Sequence, residues 1–143
     1  MGDLVSPGKR LYNKNMEWID APDIKSSLKE IVKHLEFNHV SVDDLFCMRS
    51  YGSASRAIAR IWSLPRVWRQ VLNIKPQYII EVVSERFDRL SPDEKQRTLI
   101  HELMHIPRNF SGSLVSHRGR YHRINGRSVD KLFQIFLANK KSS

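Results

Sequence analysis

The chain has 143 residues, of which 41% are hydrophobic and 27% are charged. This composition predicts one soluble globular domain with one core and excludes a disordered or fibrous protein. The sequence contains no apolar run of the roughly 18 residues that a membrane span requires, and its one cysteine, Cys47, cannot form an intrachain disulfide. We therefore expect a cytoplasmic protein with no membrane contact. Lys and Arg number 24 against 15 Asp and Glu, a net charge of +9, so DNA or RNA is a candidate partner.

The N-terminal region predicts an irregular arm followed by a helix. Residues 1–19 mix Gly, Pro, Asn and charged residues without periodicity. A capping residue, a proline suited to the first turn and apolar residues at helical spacing come next: Asp20, Pro22, Ile24, Leu28, Ile31, Val32 and Leu35. We expect an amphipathic helix over residues 22–37, which opens a single domain covering residues 20–143.

The middle of the chain predicts a small sheet. Residues 40–50 and 55–63 are rich in β-branched and aromatic side chains and flank Tyr51-Gly52-Ser53, which favours a β-hairpin. Pro65 opens a short helical segment, and residues 78–83 are typical of a further strand. The sheet is expected to have three strands or slightly more.

Two helices are predicted in the C-terminal half. Ser91-Pro92-Asp93-Glu94 combines a capping serine, a first-turn proline and a capping-box glutamate, and Pro107 marks the expected end of that helix. Residues 108–125 have no clear periodicity. Apolar side chains at helical spacing then indicate a closing helix: Val129, Leu132, Phe133, Phe136 and Leu137.

The sequence His101-Glu102-Leu103-Met104-His105 indicates a metal site. Two imidazoles four residues apart on a helix lie about 40° apart around its axis and therefore converge on one ion. Glu102 lies on the neighbouring face, from which it can accept a proton from water at the metal. Imidazole suits zinc, and a catalytic zinc site needs a third protein ligand and an open position for water. The expected reaction is peptide-bond hydrolysis with one Zn²⁺ per chain.

The segment HELMHIPRNFSGSLVSHRGRYHRIN resembles the active-site segment of the zincin metallopeptidases, particularly those predicted in archaea and phages, and is similar to the SprT-like family. In that group a histidine follows the HExxH helix, with an aromatic residue four positions later, as His117 and Tyr121 do here. The resemblance implies His117 as third ligand. It also implies an α+β minigluzincin or SprT-like core, with a small sheet packed on the HExxH helix and helices at both ends.

Such enzymes hold an extended peptide at an edge strand that precedes the HExxH helix. By this resemblance Tyr78, Ile79 and Ile80 are expected to bind substrate, together with Tyr121. Arg118 replaces the usual glycine after the third histidine, and His122 is a competing donor. His122 therefore remains the alternative third ligand, since spacing alone does not choose between two histidines beyond the helix.

Arginines are concentrated in two regions. Arg56, Arg60, Arg66 and Arg69 lie near Trp62 and Trp68, and a second group surrounds His117: Arg108, Arg118, Arg120, Arg123 and Arg127. Arginine with interleaved aromatic residues is typical of nucleic-acid surfaces, although both tryptophans are also compatible with a core. The resulting hypotheses are a peptidase that acts on DNA-associated proteins, a nucleic-acid-binding module with a structural or absent metal, and a pseudoenzyme.

Overall fold

The computed structural model describes residues 15–119 and 123–143. Strands and helices are interspersed along this part of the chain, which confirms the α+β class. In chain order they are β1 (Glu17–Asp20), α1 (Pro22–His34), β2 (Leu45–Tyr51), β3 (Ala59–Ser63), α2 (Arg66–Leu72), β4 (Tyr78–Val83), α3 (Ser84–Phe87), α4 (Pro92–Leu103) and α5 (Gly126–Ser142).

The described strands form one mixed sheet in the order β1-β2-β4-β3. The strand β4 lies between β2, to which it is parallel, and β3, to which it is antiparallel. The predicted hairpin of β2 with β3 is therefore wrong. The sequence of β4, YIIEVV, is the most apolar of the strands, and all its residues except Ile79 are buried. A strand of this kind takes a central position, where both of its backbone edges are paired.

The remaining strand, β1, also differs from the prediction. Glu17–Asp20 pairs antiparallel with β2, so the predicted irregular arm contains a strand at residues 17–20. All four of its residues are exposed. A half-buried strand is recognised in a sequence by alternating apolar and polar residues, and a strand that buries no side chain need not have this pattern. The prediction for residues 1–14 lies outside the described residues.

The helices cover one face of the sheet. Leu28 and Ile31 of α1, Leu99 and Leu103 of α4, and Phe133 of α5 are buried in the core cluster with side chains of β2 and β4. No helix in the described part of the chain has the length and apolar character needed to span a membrane. None of the helices among the described residues packs on the opposite side, which we call the outer face. Large side chains there are 39–50% exposed, namely Trp18, Phe46, Trp62 and Ile79.

Most predicted helix boundaries agree with the structure. The Ser91 hydroxyl accepts a hydrogen bond from the Glu94 N–H at 3.2 Å, as expected for the start of α4. Helix α1 begins at Pro22 as predicted, but Ala21, not Asp20, is its N-cap residue. It ends at His34, before residue 37, because Glu36 adopts the left-handed conformation with φ of 54°.

Candidate metal centre

Three histidines from different parts of the fold converge at one end of α4. His101 lies in the last turn of α4, His105 follows the end of that helix, and His117 comes from the long connection to α5. Their candidate ligand nitrogens all lie within 4.8 Å of one another. The Nε2 atoms of His101 and His117 are 3.0 Å apart. The described structure therefore brings together the predicted third histidine and the HExxH pair.

The HExxH sequence spans the end of a helix, which corrects the prediction that both histidines lie within it. Helix α4 ends at Leu103, and the His105 N–H donates to the Glu102 carbonyl at 3.1 Å, three residues back. This tighter 3₁₀-type turn is common at helix ends. Pro107 favours it, because proline disfavours the α conformation in the preceding residue.

The ring of His105 is oriented by the backbone of Val115. Its Nδ1 lies 2.6 Å from the Val115 carbonyl oxygen, and because a carbonyl can only accept, Nδ1 donates the proton. The Val115 N–H in turn donates to the His105 carbonyl at 2.8 Å. This tautomer leaves Nε2 with a free lone pair, the arrangement that a metal-ligating histidine requires.

Tyr78 holds the connection that carries Val115 and His117. Its hydroxyl accepts a hydrogen bond from the Gly112 N–H and donates one to the Ser113 carbonyl, both at 2.8 Å. Tyr78 is fully buried. Gly112 has a φ of 94°, a conformation that other residues rarely adopt, so glycine is strongly favoured at this turn.

These contacts correct the predicted substrate role of β4. Tyr78 and Ile80 are both 0% exposed, and β4 is paired on both sides, so its backbone has no free edge for a peptide. Ile79 is half-exposed, but on the outer face. Among the described strands, β3 has the unpaired edge nearest α4. Tyr121 and the alternative ligand His122 lie outside the described residues.

Burial shifts the pKa values of Glu102 and His101 in opposite directions. Glu102 is 8% exposed, and removal from water raises the pKa of its carboxyl group to about 7. Burial, together with repulsion from His105 and His117, lowers the pKa of His101 to about 4. Burial also lowers the pKa of His105. Both imidazoles are consequently neutral at pH 7, the state that binds metal.

The donor set fits zinc. Two nitrogens bound tetrahedrally to zinc at about 2.0–2.1 Å stand roughly 3.3 Å apart, close to the 3.0 Å between the Nε2 atoms of His101 and His117. Three imidazoles would occupy three positions of such an ion and leave one for water. The carbonyl of Val115 would supply the outer hydrogen bond that orients His105.

A groove of about 480 Å³ runs beside His101 and Glu102. One wall is the segment that leads into β3, Arg56 to Ala59, and the other comes from α4 and α5, with Glu94, Arg97, Thr98, Gly126 and Val129. An extended peptide can therefore reach the space between the edge strand β3 and the histidines. Sequence reasoning missed this wall because residues 56–58 have no motif and are brought there only by the sheet order.

The predicted arginines have different environments. Arg60 is paired with Glu81, and Arg69 donates to the Leu64 carbonyl. Arg97, which was not among them, lines the groove and is paired with Glu94 and Asp130. Arg56 is exposed and lines the groove. Trp62 and Trp68 are 46% and 55% exposed, so neither is a core residue.

A family model described as "Putative phage metallopeptidase" matches residues 16–134 of this chain. The matched region contains every element from β1 to α4, the three histidines and the first part of α5. No curated protein and no solved structure matches the chain.

Proposed function

The chain belongs to this phage metallopeptidase family, and from that membership we propose that it is a zinc-dependent endopeptidase. His101, His105 and His117 hold one zinc ion, and Glu102 is the general base. The observation that carries the proposal is the convergence of three imidazoles within 4.8 Å at the end of α4, beside a buried glutamate. The finer assignments, zinc and internal peptide bonds, rest on the donor set and on the open groove.

Glu102 moves the proton in this proposal. Zinc held by these residues would lower the pKa of water to about 7 and polarise a peptide carbonyl. Glu102 follows His101 directly and lines the same groove, so its carboxylate can take a proton from the attacking water. The same carboxyl then gives that proton to the leaving amine. In the metal-free protein, burial raises the pKa of this carboxyl to about 7.

The edge strand β3 provides the backbone that binds substrate. The Val83 N–H donates to the Ile58 carbonyl at 2.9 Å, and the register continues with Ala59 opposite Val82. Hydrogen-bonded and non-hydrogen-bonded pairs alternate in an antiparallel ladder. The N–H and C=O groups of Ala59, Ile61 and Ser63 therefore point to the free edge, where an extended peptide can pair with them.

The direct test is hydrolysis of a pool of internally quenched peptides by the zinc-loaded chain. We expect cleavage that a chelator abolishes and that added zinc restores, and no cleavage by the His101→Ala variant. Cleavage that persists in metal-free protein would contradict the proposal. Zinc binding without cleavage of any peptide would instead support a pseudoenzyme that holds its partner in the groove.

We also propose a narrower function, cleavage of DNA-associated proteins in the cytoplasm. Its support is the net charge of +9 and the position of Arg56, whose side chain lines the groove beside His101. The alternative of a nucleic-acid-binding module with a structural or absent metal has the same support from charge. DNA binding that is unaffected by chelator and by Glu102→Gln, without any peptidase activity, would favour the module.

A further inference from the structure

Trp62 lies on the edge strand β3, with its ring on the outer face. It is directly opposite Ile79 of β4 in the sheet register. Its neighbour Ile61 packs toward the helices, so side chains of a peptide paired with β3 alternate between the helix side and the Trp62 side of the sheet. A substrate strand thus has contacts on both faces, although the groove accounts only for the helix side.

The ring of Trp62 is held in place and remains accessible. Its Nε1–H donates to Glu81 Oε1 at 2.8 Å, and the Arg60 Nε donates to the same oxygen at 2.9 Å. The guanidinium of Arg60 lies 5.3 Å from the centre of the Trp62 ring. Although Glu81 is fully buried by these contacts, Trp62 is still 46% exposed. A fixed aromatic surface of this kind loses little conformational entropy when a ligand packs on it.

Beside Trp62 the outer face has an apolar cavity of about 670 Å³. Its walls include Phe46, Met48, Leu64 and Ile79, and its volume is ample for an aromatic side chain. Trp62, Ser63 and Leu64 of this wall are at or next to the C-terminal end of β3. The cavity is therefore continuous with the edge that substrate backbone is proposed to occupy.

We propose that Trp62 and this cavity form a specificity subsite for an aromatic or large aliphatic side chain of an extended substrate. The inference rests on the proposed function, because it takes β3 as the substrate-binding edge. The backbone N–H and C=O groups of Trp62 point toward β4, not toward the free edge. A substrate residue opposite it consequently forms a non-hydrogen-bonded pair, in which antiparallel side chains approach most closely.

Two substitutions test the aromatic ring of Trp62 and its hydrogen bond to Glu81 separately. Trp62→Phe keeps an aromatic ring and removes the donor to Glu81, whereas Trp62→Gln removes the ring and keeps an N–H donor. Trp68→Gln is the matched control, since Trp68 of α2 is 55% exposed and does not line the cavity. Thermal unfolding of each variant establishes that it is folded.

The experiment is positional scanning of extended peptides with zinc-loaded protein. We expect wild type, Trp62→Phe and Trp68→Gln to prefer aromatic over alanine at one position by about tenfold in kcat/KM, as a buried aromatic pair predicts. Trp62→Gln should lose that preference and keep those at other positions. An unchanged preference in folded Trp62→Gln, or equal loss in Trp62→Phe, would overturn the proposal.

Peptide binding provides a readout that does not need turnover. Fluorescence anisotropy with the Glu102→Gln variant should give about tenfold weaker binding of the aromatic peptide once Trp62→Gln is added. If wild type cleaves nothing but this difference in binding appears, the peptidase proposal fails and the subsite stands. A wild-type dimer that Trp62→Gln converts to a monomer would show that a second copy covers this face and would overturn the subsite.

Discussion

Burial of two adjacent side chains determines the proton chemistry of the site. The same loss of water that raises the pKa of Glu102 to about 7 lowers that of His101 to about 4. The pKa shifts of the two groups therefore have the directions expected for a general base and for a metal ligand.

His101, Glu102 and His105 were predictable as candidates because the HExxH spacing alone indicates their roles. His117 came from the resemblance, and the role of Tyr78 could not be predicted, since its partners are more than 30 residues away.

Replacement of Glu102 should separate metal binding from catalysis. We expect Glu102→Gln to retain zinc, because the three imidazoles remain, and to lose a factor of about 10²–10⁴ in kcat through loss of the general base. Metal analysis and peptide hydrolysis on the same preparation check this. Activity equal to wild type would remove Glu102 from the mechanism.

The raised pKa of Glu102 also predicts a pH dependence of stability in metal-free protein. Between pH 4.5 and 7 the folded state retains a proton that the unfolded state loses, so Glu102 makes the fold less stable as pH rises through this window. The unfolding free energy of Glu102→Gln minus that of wild type should therefore increase by on the order of 3 kcal/mol between pH 4.5 and pH 8.

Denaturant unfolding of both proteins in chelator measures this difference. The comparison with wild type is necessary because His101 also makes stability depend on pH, in the opposite direction. Its pKa is lowered by folding, so the stability contributed by its neutral form is lost as the pH falls below 6.5 toward 4. A difference between the two proteins that does not vary with pH would show that Glu102 titrates normally.

At the scale of elements, the connection between α4 and α5 depends on β4 for its shape. Tyr78 binds both Gly112 and Ser113, and Val115 then orients His105. The central strand thus supports the metal site from behind. The start of α4 was predictable because capping is local, whereas the helix ends at Leu103, before the end predicted from Pro107. The order of the strands was not, because pairing of β2 with β4 joins residues 33 apart.

Loss of the Tyr78 hydroxyl should weaken metal binding. In Tyr78→Phe the buried Gly112 N–H loses its acceptor, which we expect to cost about 1–3 kcal/mol of unfolding free energy. Zinc affinity should fall by at most about tenfold, the lower end of the effect for direct contacts of metal ligands, because Tyr78 acts one step further out through Gly112 and Ser113. Competition with a fluorescent chelator measures the zinc affinity. Tyr51→Phe is the control, because Tyr51 at the end of β2 is 40% exposed. Reduced stability with unchanged zinc affinity would make Tyr78 a core residue only.

For the whole molecule, the excess of positive charge leads to a salt test. If the substrate is associated with DNA, adding duplex DNA should increase cleavage of a basic protein at 50 mM salt, and the increase should disappear by about 200 mM, because phosphate contacts release counterions. A small uncharged peptide is the matched substrate and should show no response. Equal rates with and without DNA at both salt concentrations would contradict the DNA-linked function.

The sequence predicted the class of the fold and the three histidines that lie together, but not which face of the sheet the described helices leave open. Helix α2 was recognised from its apolar spacing, yet none of its residues is buried. Apolar periodicity predicts a helix but cannot identify what packs on it. The exposure of Trp62 likewise follows from the order of the strands, which places β3 at an edge.

Metal content is the most direct measurement of the central claim, that three histidines hold one zinc ion. Elemental mass spectrometry on untagged protein should give close to one zinc per chain for wild type and for His122→Ala, and almost none for His101→Ala, His105→Ala and His117→Ala. Retention of zinc in His117→Ala with loss in His122→Ala would move the third ligand to His122. Wild-type protein that binds no metal would contradict the account.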